Sequence, residues 1–337
     1  MEEKTLTQPD QQADQGANVQ QATAHPSHPG AYLLALIQAM RPRQWTKNCA
    51  VFIGLVFAQR LLEPLALGRA ALAFIIFCLA SSSIYLLNDL LDLERDRQHP
   101  VKRLRPLASG RLPIPWAITG MGVLVLLSAS LILLLYAIPL QQTPDIFAKW
   151  GGATLLVALI IAAYLLMMVL YSTRLKHVVL IDVFIIALGF VMRIVAGAVA
   201  VPVSISPWLY LVTCFLSLFL ALCKRRHELV LLQGSASSHR QILKEYNIPM
   251  LDQMITVAVT ATLIAYSLYT IQGQTGNHRL FVTIPFVLYG MFRYLYLVHM
   301  RMSGGSPEEV LLRDRYMLGT VLLCTILVVT ILYILPQ

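Results

Sequence analysis

Charge is what this sequence has least of: 13% of its 337 residues are Asp, Glu, Lys or Arg, against about a quarter in a soluble domain. With 57% of the chain hydrophobic, there is too little polar surface to clothe a water-soluble globule, so the chain reads as a membrane protein. Cysteine is scarce as well. Cys49, Cys78, Cys214, Cys223 and Cys324 stand singly in apolar runs, without the spacing of a metal centre or a disulfide framework, and read as small core residues. Histidines such as His99, His177, His278 and His299 have no ligand partners at useful spacing. Residues 1–30 lack both apolar periodicity and the basic start and apolar core of a signal peptide; they read as a disordered cytosolic tail.

What the chain does have is apolar runs near the roughly 20 residues that cross a bilayer as helix, where every backbone group must be satisfied internally. Nine are expected, at about 48–64, 68–88, 112–138, 150–172, 179–200, 207–223, 253–273, 280–299 and 317–336, the first being the shortest. Residues 31–40, AYLLALIQAM, are too short to cross before Arg41-Pro42-Arg43 and read as an interfacial helix opening a single membrane domain over 31–337. Basic residues alternate sides: nineteen, from Arg41 to Arg315, fall in one set of connections, and Arg60, Arg69, Lys149 and Arg279 in the other. That asymmetry puts the amino terminus in the cytosol and, after nine crossings, the carboxyl terminus outside. The net charge of +9 therefore gathers on one face, where it suits anionic lipid or a phosphorylated substrate; nothing else in the sequence suggests nucleic acid.

The second apolar run ends in NDLLDLERDRQHPVKRLRPLASG, residues 88–110. If the helix continues, Asp89, Asp92 and Asp96 recur at i, i+3 and i+7, within an arc of roughly 60°. Like charges so crowded call for a cation, and oxygen-only ligands select a hard ion such as Mg²⁺, which keeps waters and a substrate phosphate. Asn88 either adds an amide oxygen or orients a carboxylate, whereas Glu94 points away. Pro100, Pro106 and Gly110 then open a loop carrying Lys102, Arg103 and Arg105, cations suited to a diphosphate. The competing reading is a solvated helix end whose acids pair with the neighbouring arginines.

The spacing Asn88-Asp89-x-x-Asp92-x-x-x-Asp96, at the cytosolic end of the second of nine helices, resembles the first aspartate-rich motif of the UbiA superfamily of intramembrane prenyltransferases. RPRQWTKN at 41–48, YSTRLKHVVLIDVFIIALGFVMRIVAGA at 171–198, LALCKRRHELVLL at 220–232 and LLRDR at 311–315 are similar to its decaprenyl-phosphate phosphoribosyltransferase branch. The resemblance spans about 40–335. It implies an all-α bundle around a central cavity open to the cytosol and laterally to lipid, a magnesium cofactor on Asn88, Asp89, Asp92 and Asp96, and an enzyme of the bacterial plasma membrane that serves cell-envelope arabinan synthesis.

Aromatic prenyltransferases of the superfamily carry a second acidic segment after the sixth helix; here the connection reads Cys223-Lys224-Arg225-Arg226-His227-Glu228. Lys224, Arg225 and Arg226 are either a topology anchor or a site for a second anionic group. Lys47 reads as lining the cavity mouth. Asp182 and Arg193 share one helix face with Gly189 but stand ~16 Å apart, too far to pair. Asp182 reads as an interfacial cap or a catalytic group, and Arg193 as an internal structural pair or a ligand group. Tyr171 and Lys176 are candidate phosphate contacts by resemblance, and Tyr171 reads equally as an interface anchor.

These features together suit transfer of 5-phosphoribose from phosphoribosyl diphosphate to a polyprenyl phosphate, an anion already nucleophilic at neutral pH, so that no general base is required. Two alternatives stand beside it: an aromatic prenyltransferase of quinone synthesis, which the basic sixth connection disfavours, and a non-catalytic lipid or metabolite transporter. A homo-oligomer is compatible with the sequence.

Overall fold

A computed structural model describes residues 29–139, 151–204, 206–232, 245–272, 278–301, 305, 310–311 and 313–335. The proposed tail up to residue 28, Lys149, Arg240 and Lys244 lie outside them. Among the described residues there is no strand. The helices are α1 (Pro29–Ala39), α2 (Ile53–Phe57), α3 (Pro64–Leu91), α4 (Leu93–Gln98), α5 (Ile114–Ala137), α6 (Ala153–Thr173), α7 (Ile181–Ala200), α8 (Pro207–Leu232), α9 (Ile248–Gln272), α10 (Ile284–Met300) and α11 (Arg315–Val329), the last running into a π turn at Thr330–Ile334. Eight of the described helices, α3 and α5 to α11, are long and apolar enough to cross a membrane. Proline opens several: Pro64, Pro115 and Pro285 sit in the first turn of α3, α5 and α10, where the missing N–H costs no hydrogen bond.

The first expected crossing takes another form. Residues Pro42–Phe52 wind as a 3₁₀ helix, followed by the single α-turn pair of α2. At about 2.0 Å per residue for 3₁₀ and 1.5 Å for α geometry, this segment still spans about 30 Å, the depth of a hydrocarbon core. Its two ends confirm that reach: Arg41 pairs with Asp89 at the far end of α3, whereas the Leu61 N–H donates to the Tyr333 hydroxyl at 3.3 Å. Arg41 and Tyr333 thus mark opposite ends of the bundle. The slim segment fits because α7 presents glycine to it. A Cβ at Gly197 would stand 1.9 Å from the Val51 carbonyl oxygen.

Burial ranks the helices. Within their apolar windows α3 is 67% and α7 61% buried, against 22% for α5 and α11, so α3 and α7 form the centre and the others turn leucine and isoleucine toward lipid. α7 joins two apolar clusters: Ala196, Val199 and Ala200 pack with Val51, Phe77 and Val157, while Val183 packs with Phe219, Leu251 and Tyr294. At the end of the bundle away from Asp89, buried Arg69 has carbonyls for partners. It donates to Ala200 O at 2.6 Å, Leu135 O at 2.8 Å, Ile138 O at 2.7 Å and the Thr154 hydroxyl at 3.2 Å. One guanidinium thereby caps the carboxyl ends of α5 and α7, which lack intrahelical donors.

Candidate active site

The acidic motif straddles a break. α3 ends at Leu91, Asp92 adopts φ −97° and ψ 8°, and α4 begins at Leu93. Two i to i−4 hydrogen bonds cross this joint, from Asp92 N to Asn88 O and from Asp96 N to Asp92 O, so Asp89 and Asp96 keep one face. Both are buried, and one nitrogen of Arg105, Nη1, donates to Asp89 at 3.2 Å and to Asp96 at 2.6 Å. Arg41 completes the cluster against Asp89 and stacks over Tyr85, 5.1 Å from its ring centre. Asp92, at the joint, turns instead to Lys176, whose Nζ lies 2.9 Å away. The expected triad of carboxylates is therefore a pair plus one, because the helix breaks at the middle acid. Asn88 is half-buried beside them, and Glu94 is exposed and paired with Arg97.

Local backbone chemistry aims these groups. Arg41 sits just past α1 at φ 56° and ψ 61°, the left-handed position that ends many helices, and Pro42 bars it from continuing the helix. Arg105 is carried by the loop after α4, which closes at Gly110 with φ 76°, a conformation that favours glycine. The same loop leaves Lys102 and Arg103 exposed. Lys47 is half-buried and donates to the Gln44 side chain at 3.0 Å; the Tyr85 hydroxyl shares that acceptor at 3.3 Å.

A second polar cluster lies on α7, α8 and the start of α9. Asp182 is buried and accepts from Arg225 Nε at 2.6 Å and from the Tyr246 hydroxyl at 3.0 Å. Arg225, fully buried, also pairs with Glu228, and Tyr171 is its electrostatic neighbour. Burial pushes the Tyr246 hydroxyl up to about 12, so it keeps its proton for Asp182 at neutral pH. Arg226 pairs with Asp252 of α9 at 2.6 Å, within 3.3 Å of which lies His299 of α10. Lys224 is half-buried. The basic connection is thus largely matched by acids of its own half.

Arg193 is satisfied internally. It donates to Asn48 at 2.7 Å, to the Gly189 carbonyl at 2.7 Å and to the Tyr164 hydroxyl at 2.9 Å, with its guanidinium over the Tyr164 ring at 4.9 Å. Such bonds are what a buried charge at membrane depth requires. The fold therefore brings Asp89, Asp96, Arg105 and Arg41 together, with Asp92 and Lys176 adjoining. It sets Asp182, Arg225 and Tyr171 in a second cluster and Arg193 in a third. Asn48, Tyr164, Glu228 and Tyr246 were missed as candidates: Glu228 carried a spacing signal, three residues after Arg225 on the same helix, whereas the other three meet their partners only through the packing of distant segments.

Among the described residues no three His, Cys, Asp or Glu side chains converge as a metal site. The donor set nonetheless fits magnesium held jointly with substrate: two carboxylates that share one Arg105 nitrogen are near enough to share one ion, and Mg²⁺ binds through one or two carboxylates plus phosphate and water oxygens.

The model of the UbiA prenyltransferase family matches residues 49–307. The chain belongs to this family. Among its relatives, the decaprenyl-phosphate phosphoribosyltransferase of Mycolicibacterium smegmatis is 34% identical over 319 residues, covering 88% of this chain and 91% of that protein. The enzyme of the same name from Corynebacterium glutamicum is 33% identical, covering 90% and 88%. Solved structures share the fold: a UbiA homolog from Archaeoglobus fulgidus bound to GPP and Mg²⁺ superposes with a TM-score of 0.64 at 15% identity, covering 87% of this chain and 96% of that one. This UbiA family member is an all-α, multi-pass membrane protein, as the apolar runs indicated.

Proposed function

We propose that this UbiA family member transfers 5-phosphoribose from phosphoribosyl diphosphate to a polyprenyl phosphate of the decaprenyl type, releasing diphosphate. The observation that carries the reading is the 33–34% identity to enzymes named for that lipid acceptor, sustained over nearly nine-tenths of both chains. The clustered acids and arginines supply the chemistry.

In this reading Asp89 and Asp96, aided by Asn88 and Asp92, hold Mg²⁺ on the donor diphosphate, and the ion supplies charge neutralisation for the departing group. Arg41 and Arg105, which balance the two acids in the structure, turn toward diphosphate oxygens with charge-assisted hydrogen bonds. Lys102 and Arg103 reach the same anion from the exposed loop. Lys176 fixes Asp92, and Lys224 is the basic residue of the sixth connection that meets the lipid phosphate. An oxygen of that phosphate attacks ribose C1 as the C1–O bond to diphosphate breaks. Both phosphates are already anionic, so orientation and charge stabilisation carry the reaction. The polyprenyl tail stays among the apolar helices, which is why a water-soluble donor needs an integral membrane enzyme. The site faces the cytosol of a bacterial plasma membrane, and the product feeds a cell-envelope arabinan pathway.

The test is purified protein in detergent with radiolabelled phosphoribosyl diphosphate, polyprenyl phosphate and Mg²⁺, followed by lipid extraction with and without EDTA. Label in the lipid phase that EDTA abolishes is the expected result. Consumption of a prenyl diphosphate with an aromatic acceptor, and no labelled lipid, would replace this reading with that of an aromatic prenyltransferase.

A further inference from the structure

Leu180 is the residue before α7, and its backbone is strained. Its φ of 67° and ψ of −40° lie where L side chains are rarely found, and such conformations persist only when their surroundings impose them. Leu180 does not impose it through its own packing, because its side chain is exposed. Its carbonyl accepts from the Val183 and Phe184 N–H groups in the first turn of α7, and its own N–H is held by one hydroxyl: it donates to Tyr246 Oη at 2.8 Å, and the same hydroxyl donates to Asp182 at 3.0 Å. Tyr246 is itself anchored, buried among Val183, Phe219 and Leu251. The strained residue closes the short connection from Arg174 to Leu180, whose 3₁₀ turn Leu175–His177 carries Lys176 to Asp92. Lys176 is buried, so its ammonium meets Asp92 only while that turn keeps its place.

We propose that Tyr246 is a positioning residue for the acidic site: its hydroxyl locks Leu180 in the strained conformation and so keeps the Lys176 turn against Asp92. Tyr246 touches no substrate in this scheme. Its consequence for phosphoribosyl transfer rests on the function proposed above, while the lock on Lys176 does not.

The experiment uses the full chain in detergent and two readouts, the rate at which limiting acetic anhydride acetylates Lys176, followed by mass spectrometry, and the KM for phosphoribosyl diphosphate. Tyr246→Phe removes the hydroxyl and keeps the ring. It should acetylate Lys176 roughly tenfold faster and raise the donor KM by about tenfold with little change in kcat, the usual scale for losing a group that orients a ligand. Leu180→Gly removes the strain, because glycine adopts this φ freely. In that background Tyr246→Phe should therefore cost no more than about threefold in either readout, a coupling that a purely structural role for the tyrosine would not produce. Unchanged acetylation in Tyr246→Phe, or a double variant as impaired as the single, overturns the proposal, and so does faster acetylation with an unaltered donor KM. If the single variant does not fold, recovery of folded protein in the double variant is the expected result and failure to recover it refutes the lock. A wild-type protein that transfers nothing while acetylation follows the predicted pattern would remove the proposed function and leave the lock standing.

Discussion

Lys176 reaches Asp92 across 2.9 Å and 84 positions of sequence, joining the turn before α7 to the break between α3 and α4. Both central helices thus meet at one ion pair. Its partners differ in setting: the Lys176 side chain is 8% exposed and that of Asp92 30%, so the lysine is committed to the protein while the carboxylate still faces an approaching ligand. A buried ammonium needs a partner, and here that partner is a carboxylate that the proposed function also gives to the metal and donor.

Asp92→Asn tests this double duty. The amide oxygen still accepts from Lys176, so the melting temperature in detergent should move by only a few degrees. In the proposed role the lost negative charge weakens the hold on magnesium and donor, and transfer should fall by about 100-fold or more. A variant with wild-type turnover would take Asp92 out of the site.

How far the sequence discloses this arrangement depends on the range over which each feature is determined. Apolar runs disclose the long helices, because a membrane demands the same length and composition of each. The first expected crossing escapes that rule, since PRQWTKNCAVF is polar for a span and winds as 3₁₀. Aspartate spacing disclosed the acids, a property of one helix. It could not disclose the break at Asp92, nor which arginine meets which acid: Arg41 and Asp89 are 48 positions apart, Arg225 and Asp182 43. The basic triplet at 224–226 read as either a topology anchor or an anion site, and the sequence could not choose, because Asp182 and Asp252, which pair with Arg225 and Arg226, lie on other helices. Helix α8 continues to Leu232, beyond the expected 223, because its polar end is held by those same acids.

Arg69 should matter for stability and not for chemistry. Its four hydrogen bonds gather the ends of α5 and α7 at the pole opposite Asp89. Arg69→Met leaves carbonyls without donors, and the loss should be on the order of 3 kcal/mol, since charged hydrogen bonds contribute more than neutral ones. Thermal melting should show a clear drop, with the donor KM of the surviving folded fraction unchanged; an altered KM would mean that the pole communicates with the site.

Two glycines make a matched pair of tests. At Gly197 an added methyl would overlap the Val51 carbonyl, whereas nothing lies within 4 Å of the corresponding point at Gly122. Gly197→Ala should push the 3₁₀ segment away from α7, at an overpacking cost of roughly 1–3 kcal/mol, and lower the yield of folded protein. Gly122→Ala on α5 should be neutral or slightly stabilising, through its better helix propensity. Equal yields would show that the 3₁₀ segment can shift without penalty.

The three cations of the loop after α4 are not equivalent in the structure. Arg105 turns inward and bridges Asp89 to Asp96 through one nitrogen, while Lys102 and Arg103 are exposed. A guanidinium can hold two carboxylates and still present another edge to a phosphate, which the compact ammonium of lysine cannot reproduce. Arg105→Lys should therefore reduce transfer by roughly 10- to 100-fold even though the charge is kept. Lys102→Ala and Arg103→Ala, losing contacts made from solvent, should cost less and mainly raise the donor KM, with a penalty that shrinks as salt screens the exposed charge. Kinetics of the three variants at low and high ionic strength separate the roles. Should Lys102→Ala prove the most damaging and Arg105→Lys harmless, the donor would have to bind along the outer edge of the loop, away from the buried acids.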